Sequence, residues 1–457
     1  MISDLVEILA DKKILILGFG KEGISSYQLL RKYIPVSQIS IADQREKLDI
    51  DFDIDPGVKL YLGSLYLEKL DEFDLIIKAP GVPKKILQNR VDQEKIISQT
   101  DLFLRIFSDQ IIGVTGTKGK STTSSLIKHI LSAFSKNVVL VGNIGIPPFE
   151  LVDQIDEKTW IVFELSSHQL QDVSNSPHIA VLLNLFEEHL DHYDDLNTYH
   201  LAKMNIAKFQ KETDWLIFND DDQNIKELLS KHEQKCNTLP YSLLNSFSQG
   251  AFLKKDGIIE FMTERQKSVF DVRKRGFLPG DHNLMNIMAA ICVCKIIGLT
   301  DATITEAINN FKGLRHRLEY LGQFNGIHFY NDSIATIPEA TIGAIKTLEN
   351  VDTLILGGKD RGIDYQNLFD YLPVSSVNNI IFTGDAGKRI KQGLLNTRKL
   401  QEQKLFFIHD FNELPEIIKE NTSAGSICLL SPAASSYDMF RNFEERGDVF
   451  KKIAENL

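Results

Sequence analysis

The stretch QIIGVTGTKGKST, residues 110–122, constrains this chain most, because an apolar strand runs through a glycine-rich turn directly into a helical pattern. Such a turn lets backbone N–H groups converge on a polyphosphate, and the helix N-terminus adds its partial positive charge. Lys120 can then reach the terminal phosphates, while Ser121 or Thr122 can ligate Mg²⁺. The general phosphate-loop pattern places its first glycine six residues before the lysine. That position is Val114 here, and the glycines stand at 113 and 116 instead. A strand, a tight loop and a helix in this order belong to a doubly wound α/β sheet.

The rest of the chain repeats that alternation. At 457 residues it is too long for one core, and three α/β domains are expected at 1–108, 109–312 and 313–457. The first holds strands at Lys13–Leu17, Ile39–Asp43 and Leu75–Ile77, with a helix over Ile24–Tyr33. The second adds strands at Trp160–Leu165 and Ile179–Leu185 and closes on a helix at Asn283–Ile297. The third has strands at Gly326–Tyr330, Thr353–Leu356, Asn379–Thr383 and Ser426–Leu430. The net charge of −11 carries no basic block, so neither nucleic acid nor an anionic membrane is indicated as a partner. A polyanionic substrate would have to be held by loop amides, metal ions and single basic side chains. The four cysteines make no disulfide framework and no paired metal pattern. The opening MISDLVEILADKK is acidic and lacks a leader's apolar run, and Ile179–Leu183 is too short to span a bilayer. A cytoplasmic protein is expected.

A second glycine loop, GFGKEG at Gly18–Gly23, also follows a strand, and Asp43 lies 23 residues past Gly20. That spacing suits a dinucleotide site with a ribose-binding acid, as in an NAD-dependent oxidoreductase. Such an enzyme would leave GKST, Glu164, His189 and the third domain without a purpose.

The wording GxTGTxGKST resembles the Mur ligase family and its folylpolyglutamate synthetase relatives. Further segments follow in the family's order: Asn143-Ile-Gly145, Glu164-Leu-Ser-Ser-His-Gln, Glu188-His189-Leu-Asp191 and Lys203. Then come Gly280-Asp-His-Asn283 with Asn286, His316-Arg317-Leu-Glu319, Asp332-Ser-Ile-Ala-Thr336 and Leu430-Ser-Pro-Ala-Ala-Ser-Ser436. The likeness runs from about Gly18 to Gly447. It implies an N-terminal Rossmann-like domain that binds a UDP-sugar, a central P-loop-type ATPase domain and a C-terminal Rossmann-like domain that binds an amino acid. The implied activity is an ATP-dependent amide-forming ligation through an acyl phosphate.

The resemblance also assigns residues. ATP would meet Gly116, Thr117, Lys118, Gly119, Lys120, Ser121 and Thr122, with Asn283, Asn286, Arg317 and Asp332 on the nucleoside side. Gly18, Phe19, Gly20, Asp43, Arg45, Gly81 and Asn143 would hold the UDP-sugar. Thr336, Arg361, Ser436 and Phe443 would surround the amino acid. Lys120, Glu164, His189 and Lys203 would be catalytic. Mg²⁺ or Mn²⁺ would bind Ser121, Glu164, His189 and a CO₂-derived carbamate on Lys203. Read without the resemblance, Lys203 is a solvated lysine on an amphipathic helix. More than 100 residues ahead of Gly113 favour the UDP-sugar branch over the folylpolyglutamate one. The branch that adds D-glutamate to UDP-N-acetylmuramoyl-L-alanine fits the first loop better than the alanine- or diamino-acid-adding branches, and a monomer is expected. Three departures stand out. Ile334 occupies a place where the family often has lysine, which leaves Lys359 or Arg361 to supply a cation. The segment Gln99-Thr-Asp101-Leu-Phe differs from the family's usual acidic wording, and the first glycine loop is only generic.

Overall fold

The computed structural model describes the whole chain apart from residues 1, 136, 145, 188–192, 194, 256, 274–277 and 398–402. Three sheets organise it, as the alternation of strands and helices requires. The first contains β1 (Ile14–Leu17), β2 (Ile39–Asp43), β3 (Lys59–Leu62), β4 (Leu75–Lys78) and β5 (Ile96–Ile97), all parallel and ordered β3-β2-β1-β4-β5. β1, β2 and β4 are buried along their whole length, which is why they read as uninterrupted apolar runs. The helix after β1 spans Lys21–Tyr33, three residues longer at its start than its apolar pattern shows, because the glycine loop itself forms the first turn.

The second sheet is larger. Its strands are β6 (Ile111–Thr115), β7 (Val138–Gly142), β8 (Trp160–Glu164), β9 (Ile179–Leu182), β10 (Trp215–Asn219), β11 (Asn237–Ser242), β12 (Gly250–Lys255), β13 (Ile258–Thr263) and β14 (Gln266–Asp271). They run in the order β14-β13-β12-β11-β10-β9-β6-β8-β7. Pairing is parallel from β7 to β12 and antiparallel through β13 and β14. The helix Asp281–Ile297 is apolar nearly all round and is buried accordingly. These two sheets belong to one compact unit, and Asn310–Leu457 carries the third sheet in another.

The third sheet holds β15 (Glu319–Phe324), β16 (Ile327–Asn331), β17 (Val351–Gly357), β18 (Asn379–Thr383), β19 (Lys404–Ile408) and β20 (Ile427–Leu430). Its order is β15-β16-β20-β17-β18-β19, so the last strand in sequence lies between two earlier ones. Only β15 is antiparallel. In each sheet a candidate loop opens just past the carboxyl end of a parallel strand, with Gly18 after β1, Gly116 after β6 and Asp332 after β16, where open α/β sheets bind ligands. Among the described residues no helix is long and apolar enough to cross a membrane.

Candidate functional site

The first glycine loop is shaped by close packing. A side chain at Gly18, whose φ is +88°, would meet the Ala79 and Val82 side chains at 2.9 Å, and one at Gly23 would run into the Gly18 carbonyl. Gly20 and Gly81 have open space where a Cβ would stand, which lets a ligand approach their backbones. They line a cleft of about 440 Å³ together with Lys21, Glu22, Asp43, Arg45 and Tyr66. Asp43 is already engaged. Its Oδ2 accepts the Phe19 amide at 2.7 Å, and its Oδ1 accepts the Arg45 amide at 2.9 Å and Arg45 Nε at 2.8 Å. Burial raises its pKa, but the bonds from Arg45 and the two amides outweigh that and hold it below the ordinary carboxylate value. Phe19 offers its ring to the core, edge-on to Tyr27, and so does not line the cleft with its side chain.

In the second loop Gly119, at φ +86°, caps the helix Lys120–Phe134. A Cβ there would lie 2.6 Å from Asn286 Oδ1. Asn286 accepts from Thr123 Oγ1 at 3.1 Å and donates to Asn283 Oδ1 at 3.1 Å, so this pair braces the loop from beneath. Asn184, which no motif in the sequence marks, grips the loop from the other side. Its carbonyl accepts the Thr117 amide at 2.8 Å and its Oδ1 the Lys118 amide at 2.7 Å. The Thr117 hydroxyl turns inward to Tyr199 and Phe186, and Lys118 is exposed. The first helical hydrogen bond runs from Thr123 N to Gly119 O, so the amides ahead of it form the helix's positive end.

Two lysines converge on one carbonyl. Lys120 Nζ donates to Gly116 O at 2.9 Å and to Thr117 O at 3.0 Å, and Lys203 Nζ donates to the same Gly116 O at 2.9 Å. Lys203 is only 2 % exposed and lies 4.9 Å from the centre of the Tyr199 ring. The surface lysine expected from helical periodicity is therefore a buried one, on the inner face of the helix Leu196–Lys208. Both ammonium groups open on a cleft of about 430 Å³ that also takes in Pro80, Gly81, Asn143, Ser166, Ser167 and His168. The two glycine-loop systems thus share one space.

Glu164 ends β8 with no exposed surface, its Oε1 accepting Asn143 Nδ2 at 2.9 Å. Its Oε2 is buried without a hydrogen-bond partner among the described residues. A buried carboxylate oxygen left open is costly in a protein interior, and a divalent cation would satisfy it. Ser121, half-buried on the first turn of the helix, is the described hydroxyl candidate. His189 lies outside the described residues. Among those described, no three His, Cys, Asp or Glu side chains cluster as a metal site.

In the third sheet, Asp332 follows β16 and accepts from Ser431 Oγ at 2.8 Å and from the Leu318 amide at 3.2 Å. Burial pushes its pKa up to about 7 against those bonds and the Arg317 charge. A raised carboxyl pKa means stability that is full below about 4 and lost as pH rises through 7. Asp332→Asn should therefore stabilise the fold at pH 8, by an amount on the order of a few kcal/mol, and change the melting temperature little at pH 4. Equal shifts at both pH values would mean that Asp332 is not the titrating group. Arg317, Lys359 and Arg361 are exposed, Thr336 and Phe443 half-buried and Ser436 buried. The Ile334 amide donates to His316 O at 3.1 Å, and its apolar side chain brings no charge to this loop.

Known proteins match along the entire length. The Mur ligase MurD-like N-terminal domain matches residues 12–97, the Mur ligase middle domain 114–294 and the Mur ligase glutamate ligase domain 316–434. The UDP-N-acetylmuramoylalanine–D-glutamate ligase of Listeria innocua is 33% identical over 464 residues, covering 99% of this chain and 98% of that protein. The ligase of the same name from Streptococcus agalactiae is 34% identical over 459 residues, with 98% of each covered. Among solved structures, a MurF ligase from Thermotoga maritima in complex with ADP superposes with a TM-score of 0.58 at 18% identity, covering 97% of this chain and 95% of that one. A UDP-N-acetylmuramate–alanine ligase from the same organism gives 0.57 at 19%, with 96% and 99% covered.

Proposed function

The chain belongs to the Mur ligase family, and we propose that it joins D-glutamate to the L-alanyl carboxylate of UDP-N-acetylmuramoyl-L-alanine, with ATP converted to ADP and phosphate, in peptidoglycan precursor synthesis. The observation that carries this reading is the shared cleft. Gly81 from the first glycine-loop system and Lys120, Asn143 and Lys203 from the second line the same space. A carboxylate carried by a uridine nucleotide can therefore meet a phosphate held by the second loop.

Each residue has a task in that reaction. The N-terminal amides of the helix Lys120–Phe134 and the Lys120 ammonium draw the triphosphate to the loop and offset the charge that grows on the leaving ADP. Glu164 Oε2, with Ser121, His189 and Lys203 as a carbamate, would hold Mg²⁺, which supplies charge neutralisation between the two reacting anions. The acceptor carboxylate then attacks the γ-phosphorus and ADP leaves. The amine of D-glutamate attacks the acyl carbon, phosphate leaves with the bonding electron pair, and the new amide nitrogen gives up its proton. Gly20 and Gly81 leave their backbones accessible to the uridine pyrophosphate, and Arg45, held in place by Asp43, faces the nucleotide end of the same cleft.

Asp43 also bears on the oxidoreductase reading. A ribose-binding acid must present a carboxylate oxygen to the sugar hydroxyls, whereas both oxygens here are bonded to Phe19 and Arg45. The test has two arms. ADP release should require UDP-N-acetylmuramoyl-L-alanine with D-glutamate, and L-alanine, L-lysine or meso-diaminopimelate with their matched acceptors should not replace them. The UDP-sugar should raise the melting temperature and NAD should not; stabilisation by NAD alone would overturn the assignment.

A further inference from the structure

At the end of the third sheet one charged side chain has no exposed role. Arg446 lies on the first turn of the helix Phe443–Glu455, is 1% exposed and ranks among the largest fully buried side chains. Its guanidinium makes bonds to three separate loops. Nε donates to Ser333 Oγ at 3.0 Å and Nη2 to Ser333 O at 2.8 Å, in the loop after β16. Nη2 also reaches Ala434 O at 3.1 Å, after β20, and Nη1 reaches Gly357 O at 3.4 Å, at the end of β17. Ser333 Oγ in turn donates to Phe443 O at 2.8 Å, which ties the start of Arg446's own helix into the set. Lys359 N bonds to Ser435 O at 2.9 Å, so the loops after β17 and β20 also hold each other.

Those loops carry Thr336, Arg361 and Ser436, and Phe443 opens the helix that bears Arg446 itself. None of the four needs to touch Arg446 for its position to depend on it. A planar five-donor fork can hold three backbone segments at fixed spacing, which a lysine ammonium cannot reproduce. The charge is also unusual. All the acceptors are carbonyl or hydroxyl oxygens, and among the described residues no carboxylate forms an ion pair with Arg446. Burial pushes its pKa down to about 10, with Asp438 opposing, so the group stays cationic at neutral pH. A positive charge inside a low-dielectric sheet end projects a favourable field toward an anion bound at the loop tips.

We propose that Arg446 is the positioning residue of the amino-acid pocket, holding the loops after β16, β17 and β20 in the geometry that accepts an anionic amino acid. This rests on the reading that D-glutamate binds at these loops. The experiment is steady-state kinetics on the full-length enzyme, with each substrate varied in turn. Arg446→Lys, which keeps the charge and loses the fork, should raise the KM for D-glutamate about 10-fold or more, with the KM values for ATP and the UDP-sugar within about 2-fold of wild type. Ser333→Ala removes one of the acceptors and the link to Phe443, and should raise the same KM about 3-fold. It decides the matter if Arg446→Lys does not fold. Unchanged KM for D-glutamate, or equal rises for all three substrates, would overturn the proposal. A wild-type enzyme that does not ligate D-glutamate would instead refute the functional reading beneath it.

Discussion

Lys120→Ala should slow ADP release by roughly 10²–10⁴ while leaving the UDP-sugar's effect on melting temperature intact. The size follows from where the ammonium sits. It arches back over the loop to the Gly116 and Thr117 carbonyls, at the N-terminal end of a helix whose dipole already favours anions. On the proposed reading, removing it takes one full positive charge from a partly dehydrated site where phosphate charge would shift during the reaction. It also frees two carbonyl oxygens to face the phosphates. The first glycine loop is built from other segments, so uridine binding has no reason to change. Near-normal ADP release by the variant would mean that the triphosphate does not lie on this loop.

Lys203→Ala should lose most of its activity too, for the opposite electrostatic reason. On the reading that Lys203 works as a carbamate, neutral Nζ attacks CO₂, a proton leaves to solvent, and a +1 group becomes a −1 oxygen ligand of the kind Mg²⁺ prefers. Loss of outer-sphere partners of a metal commonly costs ~10–100-fold, so loss of a ligating group should exceed ~10²-fold. The discriminating measurement is rescue. Acetate or formate at high concentration can enter the space vacated beside Gly116 and restore part of the activity of Lys203→Ala, yet should do nothing for Lys120→Ala. Full activity of Lys203→Ala without additive, or an experimental map with Mg²⁺ and nucleotide bound beside a bare ammonium, would end the carbamate assignment.

How far each of these sites is legible in the amino-acid sequence depends on the distance along the chain over which it is made. The Gly116–Thr122 loop is local, and its strand, glycines, lysine and hydroxyls stand in one run of sequence. The Gly18–Gly23 loop is equally local, yet its meaning turns on Asp43, whose oxygens are claimed by Phe19 and Arg45. A spacing rule counts the acid and cannot see the bonds that occupy it. Lys203 looks like a surface residue because the carbonyl that buries it lies 87 positions away. Only the family resemblance draws attention to it. Arg446 carries no local signal for the same reason, since its partners lie 113, 89 and 12 positions distant. Asn184 is equally silent, because the loop it grips lies 66 positions away. The antiparallel extension of the second sheet is also hard to read. β14, QKSVFD, turns Ser268 and Phe270 inward and Val269 outward, so its burial alternates while its residue types do not, and it does not stand out from a loop.

The place of β20 sets a condition on synthesis. β15 and β16 can pair as soon as both emerge, across a turn in which Asn325 and Gly326 both take positive φ. β16 and β17 are not neighbours in the folded sheet, because the strand that lies between them begins at Ile427. While translation proceeds from the N-terminus, the growing chain therefore presents two unpaired inner strand edges until that strand leaves the ribosome. Open edges of this kind recruit other strands. A ribosome that stops before Ile427 releases a chain lacking the centre of its third sheet, with nothing of its own to cover either edge, and such fragments should be bound by chaperones or degraded.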